Sequence, residues 1–381
     1  MRGDWGQQSS GEASRGDWGQ QSSGEASPGG SEGAVTRPAP IGVAVVGCGY
    51  WGPNLARNVA DSSDLRLGAL CDRDPAQLRF LAERHPQVRA VPELDEVLCD
   101  ETIEAVIFAT PPQTHHPLVK RALQAGKHVL VEKPLATTLA DAYELADLAQ
   151  AEELVLMPGH TFLYSPAVNT VRDLVRDGTM GDIHFVTSSR MNLGKYQSYG
   201  VVCDLAPHDL SILMYWLDQP IVEVAASASS VIAQGVPETA FLTLTFAGGT
   251  TANVQLSWLA PRKVRQMIMV GSKRMVQYDD TAADEPIRVY DRGMDVQPAT
   301  TFGEHQLIYR SGDVVIPRVD AQEPLRLELE DFANAIRTGA KPRSNVELGI
   351  RIVAAVELAE ASIRDNGIPL AVAPRLARAA A

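Results

Sequence analysis

"IGVAVVGCGYWGPNLARNVA", residues 41–60, decides the fold. An apolar, β-branched run stops at Gly47-Cys48-Gly49-Tyr50-Trp51-Gly52, and helical periodicity takes over from Asn54. Strand, GxGxxG loop and helix thus follow in the order a pyrophosphate-binding turn requires. The glycines permit the tight turn and let backbone N–H groups approach an anion at the positive end of the helix. Pro53 is tolerated in the first helical turn, where its missing N–H has no partner to lose. The motif alone is weak, because an ordinary strand-to-helix turn is also often rich in glycine. The next strand, "LRLGALCD", strengthens it. It ends in Asp72, at the spacing of about 20 residues expected of a carboxylate that accepts from a ribose 2′-OH. Asp72 favours NAD as cofactor. Arg73 beside it could stack on adenine or tolerate a 2′-phosphate, which leaves NADP open.

Strand and helix signals then alternate through "PAQLRFLAERH", "IEAVIFAT", "QTHHPLVKRALQAG", "KHVLVEKP", "TLADAYELADLAQAEE" and "LVLMPGH". Such alternation predicts an α/β Rossmann doubly wound parallel sheet over residues 41–160. Ligands in these sheets sit beyond the carboxyl ends of the strands. Thr110, Pro111 and His115 in "ATPPQTHH", and Glu132, Lys133 and Pro134 in "VEKP", are therefore placed beside the nicotinamide. Lys133 stands out because it follows a near-continuous apolar strand and precedes a proline, so it is held rather than free.

After His160 the pattern changes to strands joined by short Gly, Pro and Asp turns, among them "DIHFVTSSRMNLG", "ETAFLTLTFAGG" and "TTANVQLSWLA". These predict an α+β substrate and oligomerisation domain over 161–374, with a large open, mostly antiparallel sheet. Flanking helices are expected over Pro166–Asp177, Leu205–Leu217, Pro324–Thr338 and Val346–Asp365. In "EPLRLELEDFANAIRTG" the residues Leu325, Leu327, Leu329, Phe332, Ala335 and Ile336 fall largely on one face and read as packing. The open sheet is expected to pair with another subunit in a homodimer or homotetramer.

The stretch "VVCDLAPHDLSILMYWL", residues 201–217, crowds a thiol, two carboxylates and an imidazole around a proline. Three uses draw on these residue types. Asp204 is placed to N-cap a helix from Leu205. Cys203, Asp204, His208 and Asp209 offer metal-ligand types, yet they cannot all face one ion. His208 is able to act as a base near neutral pH.

The two ends stand apart. "RGDWGQQSSGEAS" occurs twice in tandem at 2–14 and 15–27, and residues 1–40 are too polar to offset chain entropy, so a disordered tail is expected there. Residues 375–381 read as a second tail. The whole chain of 381 residues is 45% hydrophobic, with a net charge of −13. That charge argues against nucleic acid as a partner, where a basic face supplies most of the affinity. No apolar run reaches the roughly 18 residues needed to span a bilayer, and no signal region is seen, so a cytoplasmic protein without a membrane partner is expected. Four widely spaced cysteines with no CxxC pair suit reduced thiols.

Taken together, "GVAVVGCGYWGPNLARN", "VIFATPPQTHHPLVKRALQAGKHVLVEKPLA", "GHTFLYSPAV" and "LELEDFANAIRTGAKPRSNVELGIRIVAAVELAEASIRDNG" resemble the glucose-fructose oxidoreductase, inositol dehydrogenase and rhizopine-catabolism (Gfo/Idh/MocA) family, from about Ile41 to Val372. The resemblance implies that Lys133 of "EKP" lies next to the nicotinamide and takes part in catalysis. It also maps the family's Asp and His onto Asp204 and His208, which makes "CDLAPHD" the acid/base face of a substrate site. The activity implied is NAD(P)-dependent oxidation or reduction at a pyranose ring carbon. Within the family, "GYWGPNLARN" with "DLAPHDLSIL" looks most like dehydrogenases of nucleotide-linked sugars that act at C3. Cys203 stands where an aromatic residue is expected, so the sugar is not fixed. Arg190, Asn192 and Lys195 are expected on a loop entering the catalytic helix, where they could contact a diphosphate or carboxylate. Lys263 and Arg265 would share one strand face, and a solvated surface is the alternative for either basic set. Tyr164 and Tyr196 are candidate sugar contacts, with core or surface packing the alternative for both. The alternatives are a dehydrogenase of free sugars or inositols, and a dinucleotide-binding regulator without catalysis.

Overall fold

A computed structural model describes residues 38–194, 196–296 and 307–372. The tandem repeat, Lys195 and the C-terminal tail lie outside the described residues. The chain opens with β1 (Ile41–Val46), α1 (Gly52–Asp61), β2 (Leu65–Cys71), α2 (Pro75–Ala82), β3 (Arg89–Val91) and α3 (Leu94–Leu98). It continues through β4 (Ala105–Phe108), α4 (His115–Gln124), β5 (His128–Glu132), α5 (Leu139–Ala151) and β6 (Leu156–Gly159). These strands form one parallel sheet in the order β3-β2-β1-β4-β5-β6. Every residue of β1, β4 and β6 is buried, which is why they read as continuous apolar runs rather than alternating ones. The order reverses between β1 and β4, and a ligand crevice forms at that switch point.

A 3₁₀ turn (Thr161–Tyr164) leads into α6 (Pro166–Arg176), β7 (Ile183–Leu193) and α7 (Gly200–Leu217). Next come β8 (Ile221–Ser229), β9 (Thr239–Phe246), β10 (Thr251–Ser257), β11 (Leu259–Gly271), β12 (Met275–Asp279) and β13 (Ile287–Tyr290). The hairpin β14 (Gly293–Val296) and β15 (Leu307–Arg310) precedes β16 (Val314–Val315), α8 (Pro324–Thr338), α9 (Val346–Arg364) and β17 (Leu370–Ala371). The second sheet has nine strands in the order β16-β13-β12-β11-β7-β10-β9-β8-β17. All its neighbours are antiparallel except β7 and β10. Buried and outward residues alternate along β9, as a sheet covered on one face requires.

The last two helices tie the sheets together. α9 packs on β8 of the second sheet and also on α5 and β6 of the first. A Cβ on Gly349 would stand 2.9 Å from Pro158 Cγ, so only glycine lets the helix lie this close to β6. α8 rests on α1, with Glu323 at its head bonded to Arg57 and Asn58, and Arg337 at its foot bonded to Asp64.

Candidate active site

The cofactor cradle begins with three glycines that each meet a different demand. Gly47 has φ +99, and a Cβ there would fall 2.7 Å from the Ala109 carbonyl. A Cβ on Gly52 would fall 2.1 Å from the Gly47 oxygen, so α1 starts tight against the loop. At Gly49 nothing lies within 4 Å, which leaves the backbone open to a phosphate. Asp72, just past β2, accepts from the Cys48 N–H at 2.6 Å and from the Asp74 N–H at 2.8 Å. The carboxylate thus stands at the loop where a ribose would lie, and the residues fit a dinucleotide. Tyr50 is almost fully exposed and Trp51 half-buried.

Beyond β4 and β5, Thr110 and Pro111 are accessible, with the Thr114 hydroxyl donating to Thr110 Oγ1 at 2.8 Å. His115, expected at the cofactor, is fully buried. Its Nδ1 meets the Pro134 carbonyl at 2.7 Å and its Nε2 the Thr110 carbonyl at 2.9 Å. It braces the two loops from below and has no surface left for a ligand.

Lys133 and α7 meet across the cleft. Lys133 Nζ donates to the Asp204 backbone carbonyl at 2.7 Å and to Asp204 Oδ1 at 3.1 Å. The other carboxylate oxygen of Asp204 accepts from the Trp258 indole N–H at 3.1 Å. Asp204 is not an N-cap: α7 starts at Gly200 and runs through Pro207. Proline lacks the N–H that would reach back to the Cys203 carbonyl, which loosens the helix ladder beside the carbonyl that Lys133 takes. His208 lies one turn further along, half-buried, edge-on to the Phe162 ring at 5.3 Å between centroids. Burial first, then the charges of Lys133, Arg190 and Arg265, hold its pKa well below the ordinary value. The imidazole is therefore neutral at pH 7.

The remaining expected contacts fall elsewhere. Arg190 and Asn192 sit on β7, not on a loop. Arg190 is buried, donating through Nε and Nη2 to Asp209 Oδ1 at 3.0 and 2.9 Å, with its guanidinium over Phe162. Asp209 thereby points away from Cys203, Asp204 and His208, so the four metal-ligand types do not converge. Asn192 is half-buried near the strand end. Arg265 is bonded to Asp280, whereas Lys263 is exposed. Tyr164, expected to touch sugar, is 1% exposed; its hydroxyl donates to Asp331 Oδ2 at 2.7 Å and accepts from the Ser344 N–H at 3.1 Å. It is a core strut.

Several polar groups at the site were not singled out from sequence. Trp258 tethers Asp204 from 54 residues away, and no local pattern announces it. Glu328 is fully buried on α8. Its signal is legible in retrospect: with Leu325, Leu329 and Phe332 it occupies the i, i+3, i+4, i+7 stripe of a packed helix, while Leu327 and Ile336 are only half-buried. His160 is buried beyond β6, and burial drives its pKa down to about 3.

Known proteins give this arrangement its family. Residues 41–160 match the oxidoreductase family with NAD-binding Rossmann fold, and residues 168–277 match the GFO/IDH/MocA C-terminal domain. UDP-N-acetylglucosamine 3-dehydrogenase of Acidithiobacillus ferrooxidans is 29% identical over 314 residues, which cover 82% of this chain and 93% of that protein. D-apiose dehydrogenase of Paraburkholderia graminis is 26% identical over 340 residues, covering 85% and 88%. The crystal structure of GenD2 from gentamicin A biosynthesis, in complex with NAD, superposes with a TM-score of 0.74 at 25% identity, covering 88% of this chain and 97% of that one. Because the NAD-binding match is followed on one chain by the C-terminal match, this protein belongs to the Gfo/Idh/MocA family and is an NAD-dependent oxidoreductase.

Proposed function

We propose that this chain moves hydride between nicotinamide and a ring hydroxyl or ketone of a nucleotide-linked pyranose, with C3 the favoured position. The observation that carries the proposal is the Lys133–Asp204–His208 constellation at the carboxyl edge of the parallel sheet. Oxidising a secondary alcohol needs a base on the hydroxyl as hydride leaves the carbon. A neutral His208 has a free lone pair for that proton. Lys133 Nζ commits two of its three donors to Asp204, and the third is available to the same substrate oxygen. Asp204, fixed by Trp258, sets the direction of the ammonium. The nicotinamide, when bound, supplies the hydride acceptor.

The nucleotide-linked substrate is supported by the UDP-N-acetylglucosamine 3-dehydrogenase relative, matched over 93% of its length. Arg262 and Lys263, exposed at the start of β11 and without an ion pair among the described residues, are candidates for a diphosphate. A free-sugar substrate is the second reading, favoured by the D-apiose dehydrogenase relative. The test is NADH formation from a panel of UDP- and dTDP-linked hexoses, free sugars and inositols. A nucleotide-linked sugar is expected to lead in kcat/KM by at least tenfold, about 1.4 kcal/mol. A free sugar or inositol that leads instead would install the second reading. Tight NAD binding with no turnover of any panel member would point to a regulator.

A further inference from the structure

Behind Lys133 lies a polar cluster that hydride transfer itself does not use. Glu132 ends β5 and pairs in register with Gly159 of β6. A Cβ on Gly159 would stand 3.5 Å from the Glu132 carboxyl carbon, so that carboxyl lies flat over the strand end. One residue past the strand comes His160, then Thr161, whose hydroxyl donates to Glu328 Oε2 at 2.7 Å. The charge of Glu132 reaches the Glu328 carboxyl. Five buried atoms here find no hydrogen-bond partner among the described residues: Trp51 Nε1, Glu132 Oε1, Glu328 Oε1 and both ring nitrogens of His160. Buried polar atoms are nearly always paired, so such a group calls for a reason.

Two buried carboxyls in one site cannot both ionise cheaply, and a shared or retained proton is the usual outcome. Burial raises Glu328 well above the ordinary carboxylate range, with Glu132 and Asp331 adding to the effect. Burial pushes Glu132 up to about 7; the Lys133 charge and N–H oppose it, and so does the Trp51 indole, which lies close without the alignment of a hydrogen bond. His160 and Tyr164, which also face the pair, do not titrate near neutrality in its place. His160 is neutral, and burial lifts the Tyr164 phenol far out of range. Asp331 is occupied by the Tyr164 hydroxyl and the Arg343 N–H. Glu132 differs from Glu328 in being only partly buried as a residue, and its Oε2 accepts from the N–H of Lys133 at 3.3 Å. Lys133 is the residue set beside the nicotinamide under the proposed function, on which this inference rests.

An oxidised nicotinamide ring carries a positive charge and a reduced one carries none. A carboxyl at its back, poised between its two forms, must therefore respond to the redox state. We propose that Glu132 and Glu328 form a proton store behind the nicotinamide that holds one proton fewer when the cofactor is oxidised than when it is reduced. Glu132 is the group that changes form. Glu328 is a positioning residue, whose retained proton and buried carboxyl keep Glu132 poised.

The test is binding of NAD and NADH to the full-length protein by calorimetry between pH 6 and pH 8, in buffers of different ionisation enthalpy. If only the ionised form of Glu132 favours the oxidised cofactor, NAD should bind about tenfold more weakly at pH 6 than at pH 8, the fraction ionised setting the ratio. Near pH 7 its binding should release about half a proton. NADH affinity should change less than about twofold over the same range. Glu328→Gln replaces a carboxyl that keeps its proton with a neutral side chain of the same shape, so the NAD midpoint should stay where it is in the wild type. Glu132→Gln should abolish the pH dependence and weaken NAD relative to NADH. A wild-type NAD affinity that is flat across this range, without proton release, overturns the inference. So does a Glu328→Gln protein whose NAD affinity loses its pH dependence, since Glu328 would then be the group that titrates. Should Glu328→Gln fail to fold, the wild-type calorimetry decides alone. A protein that binds neither nucleotide at any pH would overturn the cofactor-site reading itself, and this inference with it.

Discussion

The Lys133 ammonium makes both of its hydrogen bonds to a single residue, one to the carbonyl and one to the carboxylate of Asp204. Such a two-point grip fixes the ammonium's position and direction together, which is what a donor to a reacting oxygen needs. Lys133→Met keeps the stem and removes the donors, and His208→Asn keeps a hydrogen-bonding group but no base. Each is expected to lower turnover by about 10² to 10⁴ while NAD binding by calorimetry stays within about threefold, binding and chemistry being separable. Wild-type rates in both variants would reduce the constellation to architecture. Trp258→Phe asks about the tether: it strips one donor from Asp204, so kcat should fall about tenfold with the fold intact. An unchanged kcat would mean that Asp204 needs no second anchor. The proposed reacting residues were singled out in the sequence because "EKP" and "CDLAPHD" are compact and resemble the family's motifs, the letters alone leaving cap, metal ligand and base open. Trp258 was not, since its role arises only when β10 is laid beside α7.

At the scale of elements, α7 shows where local letters mislead. Val201 and Val202 are β-branched and Pro207 reads as a boundary, so the chain signals a helix from Leu205. The helix instead begins at Gly200, whose φ of +81 suits glycine alone, and it buries Val201, Val202 and Cys203 almost completely. Burial of these side chains outweighs weak propensity. The same shift moves Asp204 from a cap position into the helix body, facing Lys133. The turn after β6 offered Tyr164 as either a sugar contact or a core residue, and the fold takes the second. Tyr164, Asp331 and Ser344 knot this turn to the body of α8 and to the residues before α9, with Arg343 reaching the Leu163 carbonyl. Tyr164→Phe leaves the Asp331 carboxylate and the Ser344 N–H without the hydroxyl. Stability measured by denaturant unfolding should drop by about 1–3 kcal/mol. KM for the sugar should not change, because the ring lies in the core. A KM raised severalfold at unchanged stability would restore the sugar contact expected from sequence.

At the scale of the whole molecule, the nine-stranded sheet has one face covered by helices, and among the described residues no helix covers the other. Outward positions on its four central strands line up across the ladder: Val264, Gln266, Ile268 and Val270 on β11, Thr187, Ser189 and Met191 on β7, Asn253 and Gln255 on β10, and Phe241 and Thr243 on β9. No charged residue stands at any of these positions. In a chain of net charge −13 this is a departure from the average surface, and it removes the like-charge repulsion that would oppose two copies meeting face to face. Phe185, Leu193 and Phe241 are 44%, 69% and 45% exposed on this face, large apolar groups that a monomer would leave in water. A twofold axis over the sheet would let each copy cover the other with the same patch. We therefore expect a homodimer, or a tetramer built from such dimers, and light scattering at micromolar concentration should return at least twice the chain mass. Phe241→Lys places a charge in the uncharged rows, on their β9 side. It should yield a single-chain mass with unchanged circular dichroism. If the wild type already runs at one chain's mass, the bare face has another purpose. If Phe241→Lys still dimerises, the contact lies on a different surface and the uncharged outward rows serve only the sheet.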